Sequence, residues 1–258
     1  MTASSKTKRI LTVMLTISVI SLLCIGYYAA MGGKITTLIN SEERLLPIYS
    51  VETEEKVVAI SFDAAWGNEY TDDILKILDE YDARATFFLV GFWIDEYPED
   101  VKAIAEAGNE IGSHSATHPD LTACDKEQIE QELDETSEKI KETAGVIPQL
   151  FRPPYGAYNN ELMRIAEEKG YKVIQWDVDS LDWKDISEDQ IVERVVRNVR
   201  NGSIVLFHNN AQYVCRYLPQ ILEKLTEDGY RIVAVGDLIL KEDYYIDHTG
   251  RQFPAADQ

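Results

Sequence analysis

Short apolar runs alternate with amphipathic stretches along most of this chain, and the alternation limits the folds that it can adopt. Seven runs have the length and composition of buried strands: Val57 to Phe62, Ala85 to Val90, Glu110 to Ser113, Leu150 to Arg152, Val173 to Asp177, Ser203 to Phe207 and Arg231 to Val235. Helical spacing of apolar residues marks five stretches between or after them: Thr71 to Tyr81, Asp125 to Thr143, Asn159 to Lys169, Ser187 to Val199 and Leu218 to Asp228. The alternation predicts an α/β domain on a parallel sheet, either a barrel or a doubly wound sheet.

A membrane-spanning helix is predicted at the N-terminus. From Ile10 to Gly33 the sequence has no charged residue, and at about 1.5 Å per residue it can cross a hydrocarbon core of about 30 Å. Three basic residues precede it, namely Lys6, Lys8 and Arg9, and cationic flanks favour the cytoplasmic side. We therefore expect a single-pass membrane protein with an extracytoplasmic C-terminal part. A cleaved signal peptide is the alternative, although Tyr28-Ala29-Ala30 is a poor cleavage site.

These features divide the chain into five segments. We expect a cytoplasmic stub at residues 1–9, a transmembrane anchor at 10–33, a stalk at 34–56, a folded domain at 57–240 and a loose surface tail at 241–258. The stalk is predicted because its charged residues and Pro47 show little periodicity.

Composition excludes one class of partner. All 45 Asp and Glu residues follow the apolar stretch, and the net charge of the chain is −20. Such a surface repels nucleic acid and anionic lipid, so we expect no nucleic-acid partner. Cys124 and Cys215 are too few for a disulfide framework, and we expect both to be ordinary residues.

Polar residues interrupt the pattern where the apolar runs end. They are Asp63 after the first run, His114 after the third, Arg152 and Tyr155 at the fourth, Asp179 and Asp182 after the fifth, and His208 after the sixth. In a closed or nearly closed parallel barrel these ends share one rim. Five loops are therefore predicted to converge on one pocket.

Each of these residues also has a structural interpretation when taken alone. His114 and His118, four residues apart, can reach one metal ion from a helical turn, but Pro119 ends that turn and such a pair is often structural. Asp63 is an ordinary helix cap or turn residue by itself. Arg152 begins a rigid Pro-rich turn, and Trp183 alone suggests packing.

Taken together, the motifs resemble a known family. In order and spacing, they resemble the five motifs of the polysaccharide deacetylases of carbohydrate esterase family four, the NodB-homology domain: Ser61-Phe62-Asp63, His114-Ser115-Ala116-Thr117-His118, Arg152-Pro153-Pro154-Tyr155-Gly156, Asp179-Ser180-Leu181-Asp182-Trp183 and Val205-Leu206-Phe207-His208. The resemblance covers Val57 to Leu240 and implies a distorted (β/α) barrel of about seven parallel strands. The segments Ser61 to Gly67 and Phe207 to Ala211, with the anchor, look closest to the sporulation-associated PdaB-like subgroup.

The resemblance also implies a role for each motif residue. His114 and His118 would hold a divalent metal, zinc or cobalt, that polarises the acetamide carbonyl. Asp63 would be the base, kept ionised by Arg152. His208 would be the general acid, kept charged by Asp182. The remaining roles concern the substrate: the Tyr155 backbone N–H would contribute to the oxyanion hole, and Tyr155, Leu206 and Trp183 would contact the substrate around its acetyl group.

Ala64 departs from the family pattern, which has a second aspartate there as the third metal ligand. Because a methyl group cannot coordinate a metal, two histidines alone predict weaker binding. Three outcomes are open: Asn68 or Glu69 substitutes as a ligand, Asp63 becomes a ligand, or the metal site is empty.

We expect a metal-dependent deacetylase acting on N-acetylated amino sugars of a cell-wall glycan, peptidoglycan in a spore-forming bacterium. The main alternative is a catalytically silent glycan-binding or scaffolding module. A weaker alternative is a metallohydrolase that acts on another acyl amide, such as a peptide.

Overall fold

The computed structural model describes residues 5–38, 43–184 and 186–255, which fall into two units, one ending at Arg44 and one beginning at Leu45. In the first unit a helix, α1, runs over Ser5–Leu38. Its stretch Val13–Ala30 is long and apolar enough to cross a membrane, by length and composition alone. Residues 1–4 of the expected stub, 39–42 of the expected stalk and 256–258 of the expected tail lie outside the described residues, as do the side chains of Lys6, Lys8 and Arg9.

The second unit is an α/β domain. Its strands are β1 (Ser50–Val51), β2 (Val57–Ala64), β3 (Ala85–Leu89), β4 (Glu110–Ser113), β5 (Leu150–Phe151), β6 (Lys172–Val173), β7 (Val178–Asp179), β8 (Ile204–His208), β9 (Arg231–Val233), β10 (Tyr244–Ile246) and β11 (Arg251–Pro254). Its helices are α2 (Thr71–Glu80), α3 (Gly91–Glu96), α4 (Pro98–Glu106), α5 (Lys126–Ala144), α6 (Asn160–Glu168), α7 (Glu188–Asn198), α8 (Val214–Glu227) and α9 (Val235–Leu238).

The main sheet is parallel and curled into a half-barrel, so the predicted barrel-like α/β fold is confirmed. Seven strands follow the order β6-β5-β4-β3-β2-β8-β7, and β9 pairs with the first residues of β2. All eight residues of β2 are buried, as expected of a central parallel strand covered on both faces.

Three stacked phenylalanines fix the register of the central strands. Phe62 on β2 lies 5.0 Å from Phe87 and 5.6 Å from Phe207, measured between ring centroids, and it pairs in register with both. The next residues along β2 and β8 are Asp63 and His208, which are therefore register partners at the carboxyl ends of the strands. The packing of the core thus decides which polar side chains meet at the rim.

The predicted helices agree with α2, α5, α6, α7 and α8 to within a few residues. Asp125 and Gln128 form a capping box at the start of α5, and Gly145, with a φ of 72°, ends it. The short helices α3, α4 and α9 were not predicted.

The predicted strand Val173 to Asp177 is wrong. The chain instead makes two short strands, β6 and β7, at opposite edges of the sheet. Between them Ile174 forms a bridge with Ile48. Because β6 pairs with β5 and β7 pairs with β8, the segment passes from one edge of the sheet to the other and does not form one continuous strand.

The expected stalk and tail also differ from the structure. From Leu45 the chain belongs to the folded unit, and Ile48, Ser50 and Val51 are buried. In a separate three-stranded sheet, β1 pairs with β11, which pairs with β10 from the expected tail. Buried Gln252 exchanges two hydrogen bonds with the Leu240 backbone. The first and last segments of this unit therefore stabilise each other.

Candidate active site

A cavity of about 790 Å³ opens at the carboxyl ends of the central strands. The predicted site residues that line it are Asp63, His114, His118, Tyr155, Asp182, Trp183, Leu206 and His208. Arg152, the remaining one, is fully buried and contacts Asp63. The loops predicted to converge on one pocket therefore do so.

Asp63 and Arg152 form a buried ion pair beside the cavity. The Arg152 Nη1 atom donates to Asp63 Oδ1 at 2.7 Å. Burial by itself raises the pKa of the Asp63 carboxyl, but the Arg152 guanidinium, His114 and His208 together outweigh it and lower that pKa below the ordinary value. Asp63 is therefore an ionised carboxylate at neutral pH.

Sequence analysis missed the groups that hold Arg152. Its Nη2 atom donates to Ser61 Oγ at 2.8 Å and to the Gln175 backbone oxygen at 3.2 Å. Its guanidinium carbon lies 4.1 Å from the centre of the Phe88 ring. These contacts fix the orientation of the guanidinium, and they come from β2, β3 and the segment between β6 and β7, which are distant from Arg152 in the sequence.

His114 is buried and has one defined tautomer. Its Nδ1 atom lies 2.7 Å from the Arg152 backbone oxygen, and because a carbonyl only accepts, Nδ1 carries the proton. Burial lowers the pKa of the ring, so the imidazole is neutral. Its Nε2 atom is therefore unprotonated and lies 3.5 Å from Asp63 Oδ2. A histidine that binds a metal is commonly oriented in this way.

His118 lies on a loop, whereas a helical turn was expected. Ser115 and His118 both have left-handed backbone conformations, with φ of 68° and 58°. The ring centroids of His114 and His118 are nevertheless 4.9 Å apart. Burial lowers the pKa of His118 to about 4, and its buried Nδ1 has no hydrogen-bond partner among the described residues.

The two imidazoles fit two positions of a divalent-metal site, since both are neutral and adjacent. Ala64 is buried among apolar side chains and supplies no third ligand. Asn68 donates to Asp100 instead, at 2.8 Å, and neither Asn68 nor Glu69 lines the cavity. Within residues 43–184 and 186–255, no three His, Cys, Asp or Glu side chains are grouped to hold a metal ion.

His208 and Asp182 form the second charged pair. The His208 Nδ1 atom lies 2.8 Å from Asp182 Oδ1, and the His208 backbone N–H donates to Asp182 Oδ2 at 2.9 Å. Burial by itself lowers the pKa of His208, but the hydrogen bond and charge of Asp182, with Asp63 and Asp179, raise it above the ordinary value. The ring is therefore protonated over a wider pH range than a free histidine.

Tyr217 on α8 was not predicted as a site residue. Its hydroxyl is buried and donates to Asp182 Oδ2 at 2.7 Å. Because burial and Asp182 raise the pKa of Tyr217 well above its usual range, the hydroxyl keeps its proton. Asp182 thus receives hydrogen bonds from three donors.

Tyr155 lies on a turn after β5 with a left-handed φ of 60°. Gly156 and Ala157 donate the hydrogen bonds that close the turn, so the Tyr155 N–H is not used for closure. Ser115, His118, Tyr155 and Leu181 are four of the six non-glycine residues with positive φ among those described, and their loops border the cavity. Such strain commonly accumulates at functional sites.

Sequence comparison decides the family. The sequence pattern of polysaccharide deacetylases matches residues 50–174. A peptidoglycan-N-acetylglucosamine deacetylase of Bacillus cereus is 35% identical over 196 residues, which cover 74% of this chain and 92% of that protein. The chain belongs to the polysaccharide deacetylase family. The family predicted from the five motifs is therefore confirmed.

Two other relatives are longer than this chain. The peptidoglycan-N-acetylmuramic acid deacetylase PdaC of Bacillus subtilis is 35% identical over 189 residues, 73% of this chain and 40% of PdaC. The uncharacterized protein YlxY of Bacillus subtilis is 35% identical over 75% of this chain and 60% of YlxY. The chain thus spans less than two thirds of the length of these two relatives.

Solved structures of family members include both active and inactive proteins. BA3943 of Bacillus anthracis, a pseudoenzyme of carbohydrate esterase family four, superposes with a TM-score of 0.72 and is 35% identical, over 74% of this chain and 68% of that chain. A BA3943 mutant with restored enzymatic activity has the same TM-score, 36% identity, and coverage of 74% and 70%. Membership of the family therefore does not by itself establish activity.

Proposed function

We propose that this chain is a metal-dependent deacetylase that hydrolyses the acetamide of N-acetylated amino sugars in a cell-wall glycan, peptidoglycan in a spore-forming bacterium. The supporting observation is that two groups with opposite pKa shifts face one cavity: Asp63, paired with Arg152, has a lowered pKa, and His208, paired with Asp182, has a raised pKa. A base and an acid with pKa values shifted in these directions are what hydrolysis of an amide requires.

Asp63 is the base in this proposal. Its Oδ1 atom accepts from Arg152, while Oδ2 lies on the side of His114 and accepts the proton of the attacking water. The water oxygen forms a bond to the acetamide carbon. Because Arg152 is fully buried and held by Ser61 and Gln175, the carboxylate does not need to reorganise during the reaction.

His208 is the acid. Its Nδ1–H is held by Asp182, which leaves Nε2 as the nitrogen that delivers a proton. Nε2 protonates the sugar nitrogen as the carbon–nitrogen bond breaks, giving acetate and a free amine. Without that proton the amide nitrogen is a poor leaving group.

The remaining cavity residues hold the acetyl group. The Tyr155 N–H, at its strained turn, donates to the carbonyl oxygen as negative charge develops there. Leu206 lines the cavity beside His208, and Trp183 lines its rim. Both provide apolar surface for the acetyl methyl.

His114 and His118 would hold the divalent metal, zinc or cobalt, which would supply polarisation of the carbonyl when bound. Their neutral rings and the unpartnered Nδ1 of His118 support this assignment.

A catalytically silent glycan-binding module is the second candidate. The buried Ala64 leaves the described residues without a third ligand, and the chain resembles the pseudoenzyme BA3943. The intact Arg152 and Asp182 partners argue against it, because a binding module has no need to tune an acid and a base.

We also propose that α1 anchors the chain in a membrane with the folded unit outside the cytoplasm, and that the chain belongs to the sporulation-associated PdaB-like subgroup. The apolar stretch Val13–Ala30 supports the anchor. Lys6, Lys8 and Arg9 support the orientation.

Acetate release from N-acetylated peptidoglycan tests the activity. The full chain in detergent is assayed with zinc, with cobalt and after chelation, beside an Asp63→Asn variant. We expect metal-dependent release that falls by about 100-fold or more in Asp63→Asn, the usual loss on removing a general base. Absence of release with every metal, together with retained glycan binding, would establish the silent module instead.

A further inference from the structure

Trp66 is an exposed indole at the rim of the cavity with no assigned role. It lies two residues after the end of β2, is 59% exposed and lines the cavity. Six large apolar side chains are exposed among the described residues from 45 onward: Trp66, Val146, Ile147, Tyr155, Trp183 and Tyr245. Three of the six line this one cavity. Exposed apolar surface concentrated in this way marks a binding surface.

The backbone that follows Trp66 is fixed by two side chains from other elements. The Gly67 carbonyl oxygen accepts from Trp93 Nε1 at 2.7 Å and from Asn209 Nδ2 at 2.9 Å. Gly67 has a φ of 64°, a conformation that glycine adopts without strain. Trp66 is therefore presented from an anchored turn, so little conformational entropy is lost when a ligand covers it.

The protein contacts of Trp66 cover only part of its ring. Phe92 lies 6.3 Å away and His118 meets it edge to face at 5.3 Å, measured between ring centroids. The rest of the indole faces solvent or the cavity. Packing against Phe92 and His118 explains only the covered part of the indole. Burial of the remaining apolar surface of Trp66 by a ligand would be favourable.

A second indole lies on the other side of His208. Trp183 follows β7 and is also 59% exposed. In the sheet order β8 lies between β2 and β7, and β8 ends in His208. The two indoles therefore emerge from strands on either side of the strand that carries the proposed acid.

We propose that Trp66 stacks on the sugar next to the one being deacetylated, so that the cavity binds two or more consecutive sugars across His208. The inference rests on the proposed function and adds Trp66 as the residue that favours a glycan chain over a single sugar. The apolar C–H face of a neutral pyranose matches a flat, uncharged indole. The net charge of −20 disfavours anionic ligands in the same position.

Calorimetric titration of the full chain in detergent tests this inference without requiring activity. N-acetylglucosamine and its β-1,4-linked tetramer are titrated into Asp63→Asn protein, which cannot consume them. The titrations are repeated with three double variants that combine Asp63→Asn with Trp66→Ala, with Trp66→Phe or with Tyr245→Ala. Tyr245→Ala is the matched control, because Tyr245 is an exposed aromatic residue outside the cavity. Circular dichroism checks that each variant is folded.

We expect Trp66→Ala to weaken binding of the tetramer by about tenfold, the effect of losing one aromatic contact. The affinity for the single sugar should change by less than about twofold, because a single sugar occupies only the position beside Asp63 and His208 and does not reach Trp66. Trp66→Phe should retain part of the tetramer affinity, and Tyr245→Ala all of it.

Three outcomes overturn the inference. Equal losses for the single sugar and the tetramer would place Trp66 at the reacting sugar. Unchanged tetramer affinity in Trp66→Ala, with weaker cobalt binding, would make Trp66 a shield for His118. Binding of neither sugar before Trp66 is changed would overturn the proposed function itself, which distinguishes the two failures.

Discussion

Tyr217 and Asp182 are 35 residues apart in the chain and are joined by a buried hydrogen bond of 2.7 Å. The hydroxyl donates to Oδ2, the same oxygen that accepts the His208 backbone N–H, while Oδ1 faces the His208 ring. The Tyr217 ring stacks on Phe207, with centroids 5.8 Å apart, which holds it in place. One tyrosine therefore links the packing of α8 to the partner of the proposed acid.

Tyr217→Phe should raise the pKa of His208. The hydroxyl disperses part of the Asp182 charge, and without it more of that charge stabilises the imidazolium. Titration of the His208 ring signals by NMR measures this even in inactive protein, and in active protein the basic limb of kcat/KM should move to higher pH. Tyr171→Phe is the matched control, since that buried hydroxyl bonds to the Leu133 backbone oxygen. An equal change in both variants would contradict the assignment.

Asp182→Asn should have the opposite effect on His208. Without the Asp182 charge, burial lowers the pKa of the His208 ring. Turnover should then fall, because less of the imidazole carries the proton that the reaction needs. Because Asp182 raises the folded-state pKa of His208, the pair stabilises the fold below the unfolded pKa of about 6.5 and this stability is lost as the pH rises through the folded pKa. In the unchanged protein this pair makes the melting temperature fall as the pH rises through that range, and in Asp182→Asn that fall should be absent. The same pH dependence in both proteins would show that the pair does not hold His208 charged.

Arg152→Met should raise the pKa of Asp63, because burial is then no longer offset by the guanidinium. The acid limb of kcat/KM should move to higher pH. Breaking a buried ion pair also costs about 3 to 5 kcal/mol of unfolding free energy, measurable by urea denaturation. Arg216→Met, which breaks an exposed pair with Glu188, should leave both quantities nearly unchanged. If the acid limb of kcat/KM does not move in Arg152→Met, Arg152 does not control the ionisation of the catalytic base.

Ala64→Asp should make the stability of the fold depend on metal. Without metal the new carboxylate lies where an apolar residue is buried, so the melting temperature should fall. With zinc or cobalt it should rise by more than in the unchanged protein, because the site then has three ligands. Ala64→Asn introduces a polar group of the same size as Asp that is a weaker metal ligand. Its melting temperature should therefore rise less on addition of metal than that of Ala64→Asp. No gain from metal in Ala64→Asp would mean that residue 64 does not face the histidine pair.

Much of the site follows from local sequence. Parallel strands end at one rim, so the polar residues that follow Val57 to Phe62 and Ser203 to Phe207 had to lie close together, and Asp63 and His208 are register partners. The capping box and Gly145 likewise mark the ends of α5 by local chemistry. The short strands β6 and β7 could not be predicted in this way, because each pairs with a different edge of the sheet and Ile174 between them bridges to Ile48, which is distant in the sequence.

The sequence by itself determined the strand–helix alternation, the family and the residues that carry the proposed chemistry, since these depend on side-chain periodicity and on motifs a few residues long. Only the tertiary structure decided that Ser61 holds Arg152, that Tyr217 holds Asp182 and that Trp66 is left exposed at the rim. These depend on which distant segments pack together, and a side chain's burial or partner is a property of that packing. It therefore cannot be read from its neighbours in the chain.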